Sequence, residues 1–494
     1  MTQQLTRRSF LRGAAATAGT AAALGGPFAG FAAKALAVSS KPSFRGLRAI
    51  PDARDGQVRL HLPEGFNYRS FHDTEFPVVL DDGTSLPGRH DGMAAFAGPN
   101  GNSVLVRNHE VNGNVLNGAF GPTGDWTYDT SALGGTVTTE VTPTGEVVNA
   151  YTSLNGTQMN CAGGPMPWGS WITCEETING PDVGPDFTGV SNVNLQQPHG
   201  FIFEVPADGP ASGEPVRSAG RFAHEAVAFD PRDGILYLTE DNFAFPSGFY
   251  RYLPPVNPMT AGRLEDGGRL QMLKVAGAWN ADLAVRQRRN AKYRVEWVDI
   301  DEPARTFDYT PGVPAPTSNN QGLVFVGDQG RAQGAAGFSR LEGAVYDNNV
   351  VYFCSTQGGG DPEPGSSDNS QGWGNGWGQI WAYHTRGGTL QLIYQSPGPD
   401  TLDFPDNVTT SPRGTLILCE DSGNGNFLRG LSRGGQLWNV ALNRLVSQLS
   451  GDERFDDEFA GSTFSPDGST LFVNIQASRG MSFAIWGPWE RIGV

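Results

Sequence analysis

The chain has 494 residues, and Gly 67 with Pro 34 makes about a fifth of it turn-forming. Only 17% of its residues are charged and the formal net charge is −16. That argues against a helical bundle, a nucleic-acid partner or an anionic membrane surface, and for many short strands joined by tight turns.

In chain order, the first feature is "TRRSFLRGAAATAGTAAALGG", a twin arginine (Arg7, Arg8) before a mild Ala/Gly-rich apolar stretch. It is too weakly apolar and too broken by glycine for a stable membrane span. It reads as a twin-arginine export signal over residues 1–37, cut after the "ALA" that ends at Ala37. The expectation is passage through the twin-arginine machinery to the periplasm or the extracellular space. The leader's basic residues have no acidic counterpart, so the mature chain, residues 38–494, is more acidic still. It is expected to be one domain and a monomer.

Six segments then share one pattern: a polar anchor, small or apolar residues, a turn, and an apolar strand ending in a polar residue. They are "DGMAAFAGPNGNSVLVRNHE", "CAGGPMPWGSWITCEE", "EAVAFDPRDGILYLTED", "EGAVYDNNVVYFCST", "NVTTSPRGTLILCED" and "GSTFSPDGSTLFVNIQ". The turns are hairpin chemistry. A decorated hairpin recurring about every 50–70 residues is the mark of a β-propeller. The expected fold is all-β, a six-bladed β-propeller with long inter-blade insertions. The longest insertion is residues 253–320, with "GRLQMLKV" and "YRVEWVDI" as its strands. Residues just after the signal are expected to supply a strand that closes the ring. "GGGDPEPGSSDNSQGWGNGWG" reads as a rim loop.

In a propeller the innermost strands line one channel, so equivalent positions converge on one axis. The anchors read Asp91, Cys161, Glu225, Glu342, Asn407 and Gly461, and the strand ends include Glu110, Glu176, Glu240, Thr356, Glu420 and Asn474. Carboxylates gathered on one axis cannot all ionise without cations. Hard oxygen ligands suit calcium, and a thiolate among glutamates suits iron or zinc. Four cysteines permit three disulfide connectivities. Cys174, Cys354 and Cys419, however, recur at one place in the repeat and read as core, whereas Cys161 aligns with the donors. His109 and His224 read as packing neighbours of acids. Trp168, Trp171, Trp373 and Trp377 stay open between packing and a substrate cage. No GxSxG elbow, Walker loop or HExxH occurs.

"RNHE", "NCAGGPMPWGSWITCEE", "FAHEAVAFDP", "SRLEGA", "DNVTTSPRGTLILCED" and "LFVNIQ…FAIWGPW" resemble the PhoX family of bacterial alkaline phosphatases, over about Leu60 to Trp489. The resemblance implies a metal-dependent phosphomonoesterase whose channel holds Fe3+ and Ca2+, with an oxo or hydroxo group of that cluster as nucleophile and small phosphate esters as substrates. It implies Cys161 as an iron ligand and puts Glu176, Glu225 and Glu342 in the glutamate iron-ligand positions. Glu110, Asp241, Asn407, Glu420 and Asp421 fall on the calcium side, and Arg340 matches an arginine that holds the substrate phosphate. One departure is "NIQASRG", where the family often has a histidine after "NIQ"; Arg479 is the candidate replacement. The competing readings are a calcium-only propeller hydrolase, such as a lactonase or phytase-like enzyme, and a metal-stabilised binding propeller. Cys161 discriminates against the calcium-only reading, because a calcium site gains nothing from a thiolate.

Overall fold

The computed structural model describes residues 46–111, 120, 124, 126–362, 372–423 and 425–494. The expected export signal lies outside the described residues, as does the middle of the glycine-rich rim loop.

The described chain is dominated by strands. Six hairpins have the first strands His90–Ala97, Asn160–Met166, His224–Asp230, Leu341–Asp347, Pro405–Thr410 and Glu458–Phe464. Their second strands are Ser103–His109, Ser170–Glu175, Ile235–Glu240, Val350–Ser355, Leu416–Glu420 and Thr470–Gln476. Each first strand packs against the first strand of the next hairpin, and the sixth packs against the first, so the inner strands form a closed ring. Strands such as His224–Asp230 and Thr470–Gln476 are buried along their whole length. That is why they read as unbroken small and apolar runs and not as alternation. The turns obey local chemistry: Asn348 and Asn349 both take positive φ between the paired Asp347 and Val350, as a two-residue hairpin loop requires.

The 253–320 insertion contributes outer strands. Arg269–Val275 pairs with Phe249–Leu253, and Lys292–Asp299 pairs in turn with Arg269–Val275. Lys292 to Arg294 also pair with Thr389 to Gln391, so the sheets of the third and fourth hairpins join at their outer edges. A helix, Asn319–Arg331, follows, opened by a capping box between Ser318 and Gln321.

The two ends of the chain are stitched together. Asn67–Phe71 pairs with Met481–Trp486 beside the sixth hairpin, and Val58–Pro63 pairs with Leu437–Asn443 beside the fifth. The buried Arg59–Asp52 ion pair, 2.7 Å long, sits in this seam and is completed by Ser70, whose amide donates to Asp52 at 3.0 Å.

One irregularity repeats in all six hairpins. The pairing register slips between His90 and Met93, Asn160 and Gly163, His224 and Val227, Leu341 and Ala344, Pro405 and Val408, and Ala460 and Thr463. Each slip leaves two residues in a β-bulge, which bends the strand and re-aims a side chain. The second bulge residues are Gly92, Ala162, Ala226, Gly343, Asn407 and Ser462, small in all but the fifth, and Gly92 and Gly343 lie directly against the neighbouring inner strand. A Cβ on Gly343 would stand 2.7 Å from both Asn407 Cα and Val408 N. Those are backbone atoms that cannot step aside. Gly343→Val is therefore expected to destabilise the protein by about 1–3 kcal/mol or prevent its folding; a thermal melt like that of the wild type would show that the inner strands are not packed this closely.

Candidate metal centre

The bulges set the site. In the hairpins that carry an acid or thiol there, the first bulge residue is Asp91, Cys161, Glu225, Glu342 or Asp406, and the sixth hairpin has Gly461. The donor atoms of Cys161, Glu176 and Glu225 lie within 4.8 Å of one another, and so do those of Glu225, Glu342 and Asp406. Glu225 belongs to both sets.

Burial and like charge govern the titration of this cluster. Burial pushes the Glu225 carboxyl well above its ordinary value, and Glu342, Asp406 and Glu176 push it further. Burial does the same to Glu342, with Asp241 and Asp406 adding and Arg340 opposing. Asp91 is raised by burial, then by Glu110 and Asp406, and Asp406 itself is pushed up to about 7 by burial and Asp421. The Cys161 thiol is raised by burial, then by Glu225 and Glu176, and its Sγ lies 3.2 Å from the His224 carbonyl oxygen as a donor. Bound cations would offset this mutual repulsion with the acids ionised. The donor set fits cations: carboxylates suit hard ions, and the single thiol suits a transition metal.

The strand ends explain which acids reach the axis. Three hairpins end in doubled acids, Glu175-Glu176, Glu240-Asp241 and Glu420-Asp421. Successive side chains on a strand leave on opposite sides. The first of each pair turns into the blade and pins backbone. Glu175 accepts from the amides of Gln158, Gly200 and Phe201. Glu240 accepts from Gly248 N and the Tyr250 hydroxyl. Glu420 accepts from Asp403 N and Phe427 N and pairs with Arg429 at 2.8 Å. Glu420 is thus committed away from the cluster in which the sequence pattern had placed it. The second acid of each pair serves the axis: Glu176 joins Cys161, Asp241 pairs with Arg340, and Asp421 faces Asp406 and Glu458.

The fifth anchor also moves by one residue. Asn407 occupies the second bulge position, donating from Nδ2 to Asp406 at 2.6 Å and accepting from Gly461 N at 2.5 Å. Asp406 holds the first position. Aligning the doubled acids of the fifth hairpin with those of the second and third gives this register from sequence. Glu458 has no such signal. It is raised well above its ordinary value by burial and then by Asp421 and Asp406, and it lies outside the repeated pattern.

Glu110 accepts from Gln476 Nε2 at 2.6 Å, and the same amide nitrogen reaches Asp91 at 3.0 Å. Gln476 thus ties together the two acids of the first hairpin. Arg479, the candidate replacement for the histidine, is half-exposed and lies 3.9 Å from Glu75. Arg340, two residues before Glu342, forks onto Asp241 at 3.1 and 2.8 Å and reaches Glu342 at 2.9 Å. The Phe243 ring lies 5.1 Å from its guanidinium. Burial opposes its charge, but Asp241 and Glu342 hold its pKa above the ordinary arginine value. Residues two before the anchor take the left-handed conformation in four hairpins: Arg89 (φ 52), Met159 (φ 47), Arg340 (φ 40) and Phe404 (φ 49). Each such non-glycine residue costs about 1 kcal/mol or more, a strain that tends to persist at functional sites.

All four cysteines are buried and free of disulfides. Cys174, Cys354 and Cys419 share their register with Asn108 and Thr239, which donate to bulge carbonyls of the next hairpin, those of Cys161 and Ala162 at 2.8 Å and of Glu342 at 2.7 Å. His109 and His224 hydrogen-bond the carbonyls of Gly88 and Gly220, and burial draws His224 down to about 3, so both are neutral packing residues. Trp171 donates to Asn108 and Trp168 to Glu204, so both indoles are tied to neighbouring side chains.

An all-β protein with a closed ring of inner strands and a thiol and carboxylates on its axis is of propeller type. The alkaline phosphatase PhoX family model matches residues 46–152 and 144–478, and the chain belongs to that family of metal-dependent phosphomonoesterases. Among solved structures, Pseudomonas fluorescens PhoX, in complex with the transition-state analogue vanadate, matches with a TM-score of 0.61 at 17% identity, covering 90% of this chain and 98% of that one. That likeness is one of fold. A gluconolactonase from Xanthomonas campestris matches at 13% identity and a TM-score of 0.40, over 90% of this chain and 99% of that one. No curated protein sequence matches.

Behind Glu176, the outward-turned Glu175 lies 2.6 Å from His199 Nδ1, and Asp129 lies 3.5 Å from Nε2. Burial lowers the imidazole pKa, but the two acids outweigh it and push it up to about 9, against an ordinary 6.5. A raised histidine contributes stability that is complete below pH 6.5 and lost as the pH rises through about 9. The melting-point difference between wild type and His199→Gln is expected to be largest below the lower value and to shrink toward the upper one. A difference that stays constant with pH would mean that His199 is neutral between its acids.

Proposed function

We propose that this protein is an exported alkaline phosphatase, a six-bladed propeller that hydrolyses small phosphate monoesters at an iron and calcium centre on its axis. The observation that carries the reading is the shared donor set, Cys161 and Glu176 with Glu225, and Glu225 in turn with Glu342 and Asp406. The twin arginine supports export to the periplasm or beyond.

In this reading Cys161, Glu176, Glu225, Glu342 and Asp406 hold the ions, with Asp91, Glu110, Asp241, Asp421 and Glu458 on the calcium side. Bound iron and calcium would supply Lewis acidity, activation of water and neutralisation of phosphate charge. The chain's own residues do the rest. Cys161 gives up its thiol proton to become a ligand. Glu225, common to both donor sets, couples their geometry. Asn407 and Gln476 hold Asp406, Asp91 and Glu110 in place through their amides. Arg340, with Phe243 on its guanidinium face and its Nε/Nη2 edge held by Asp241, brings a fixed positive charge that suits a phosphate oxygen. Phosphoryl transfer needs positioning and charge stabilisation more than covalent help, and this set offers both.

The test is elemental analysis together with turnover of p-nitrophenyl phosphate, on wild type, Cys161→Ser and Cys174→Ser. Iron and calcium are expected in active wild type. Cys161→Ser is expected to lose iron and activity together with its fold intact, and Cys174→Ser mainly to lose stability. Full iron and full activity in Cys161→Ser would remove the thiol from the centre. Arg340→Lys is expected to keep the fold but lose about 1–3 kcal/mol of transition-state binding, roughly ten- to a hundredfold in kcat/KM. Unchanged kinetics would leave Arg340 as a structural partner of Asp241.

A further inference from the structure

A second arginine stands in the same place as Arg340. Arg89 precedes Asp91 by two residues, as Arg340 precedes Glu342, and both take the left-handed backbone, with φ 52 and 40. Arg89 is held on both sides, its amide donating to Ala477 O at 2.6 Å and its carbonyl accepting from Glu110 N at 3.0 Å. The strands that follow the two arginines, His90–Ala97 and Leu341–Asp347, are three steps apart round the ring in either direction, so the arginines come from opposite sides of the axis.

Their guanidinium groups differ in one respect. Arg340 is forked onto Asp241 and bonded to Glu342. Arg89 is 2% exposed; among the described residues it bonds through Nη1, 3.3 Å from Glu110 Oε2, while its Nε and Nη2 are buried with no hydrogen-bond partner. A buried guanidinium edge without an acceptor is costly, and a paired N–H edge is the geometry that an oxyanion satisfies. Glu110, to which it is bonded, shares Gln476 with Asp91, which ties this arginine to the axial set. The second hairpin has Met159 at this place and the fifth Phe404, so a cation here is no requirement of the fold.

We infer that Arg89 is a second phosphate-binding residue, taking an oxygen of the substrate phosphate from the side of the channel opposite Arg340. The inference rests on the phosphatase reading and deepens it. Opposed guanidinium groups would bind the product phosphate as well as the substrate, so inhibition by inorganic phosphate is the direct readout.

The experiment uses full-length exported protein as wild type, Arg89→Gln and Arg89→Lys, with metal content, melting temperature, KM and kcat for p-nitrophenyl phosphate, and the inhibition constant of inorganic phosphate measured on each. Arg89→Gln is expected to keep its iron and calcium and to raise the phosphate inhibition constant about tenfold or more, with Arg89→Lys recovering part of the loss. An unchanged inhibition constant in both variants overturns the inference. So does a loss of calcium in parallel with activity in both variants, which would make Arg89 a support for Glu110 alone. If Arg89→Gln fails to fold, Arg89→Lys decides, because it keeps the charge toward Glu110 but not the fork. A wild type that neither hydrolyses the ester nor responds to phosphate brings down the phosphatase reading itself, which is a different result from an active wild type with indifferent variants.

Discussion

The rest of the structure depends on the burial of like charges about one axis. Asp91, Glu225, Glu342, Asp406 and Glu458 are all raised by burial first and by a neighbouring carboxylate second: Glu110, Glu342, Asp241, Asp421 and Asp421 in turn. Arg340 offsets part of this repulsion, but it cannot by itself neutralise five carboxyls and a thiol. A site so built stays protonated or takes up cations, and at neutral pH the cations supply the more stable solution. Stability and chemistry are therefore coupled here, because the ions that would carry catalysis are those that would relieve the strain of assembling the channel.

The β-bulge is the device that makes this assembly possible. A regular inner strand would send alternate side chains to its two sides, and both sides are occupied by neighbouring blades. The two-residue bulge turns one side chain to the axis and sets a small residue beside it, so that the next inner strand can approach. Gly343 against Asn407 and Gly92 against Ala162 show how close that approach is. The carbonyls that the bulge frees from pairing are taken up by Asn108 and Thr239 of the preceding hairpins. The cysteines at the equivalent places fill the same space with less polarity.

The doubled acids separate the structural from the functional task within two adjacent residues. Glu175, Glu240 and Glu420 are buried and satisfied by amides, a hydroxyl or an arginine, and they pin the backbone of the loops beside them. Glu176, Asp241 and Asp421 face the opposite way and meet the channel. A substitution in the first set would act on the site through the backbone, and one in the second would act on it directly.

The sequence by itself determined much of this. Hairpin turns, repeated at near-regular spacing in a glycine-rich acidic chain, imply a ring of small sheets because no single hairpin can bury both its faces. The insertion's strands were legible from their apolar alternation, and Cys161 stood out because it alone broke the cysteine pattern. Only the tertiary structure decided which member of each acid pair reaches the axis, since that depends on which side of the strand each side chain leaves, and for that reason Glu420 left the cluster. The place of Asp406 in front of Asn407 was legible once the doubled acids were aligned between hairpins. Glu458 lies outside the repeated donor positions, and its relation to the axis arises from contacts between hairpins far apart in sequence, which local pattern does not encode.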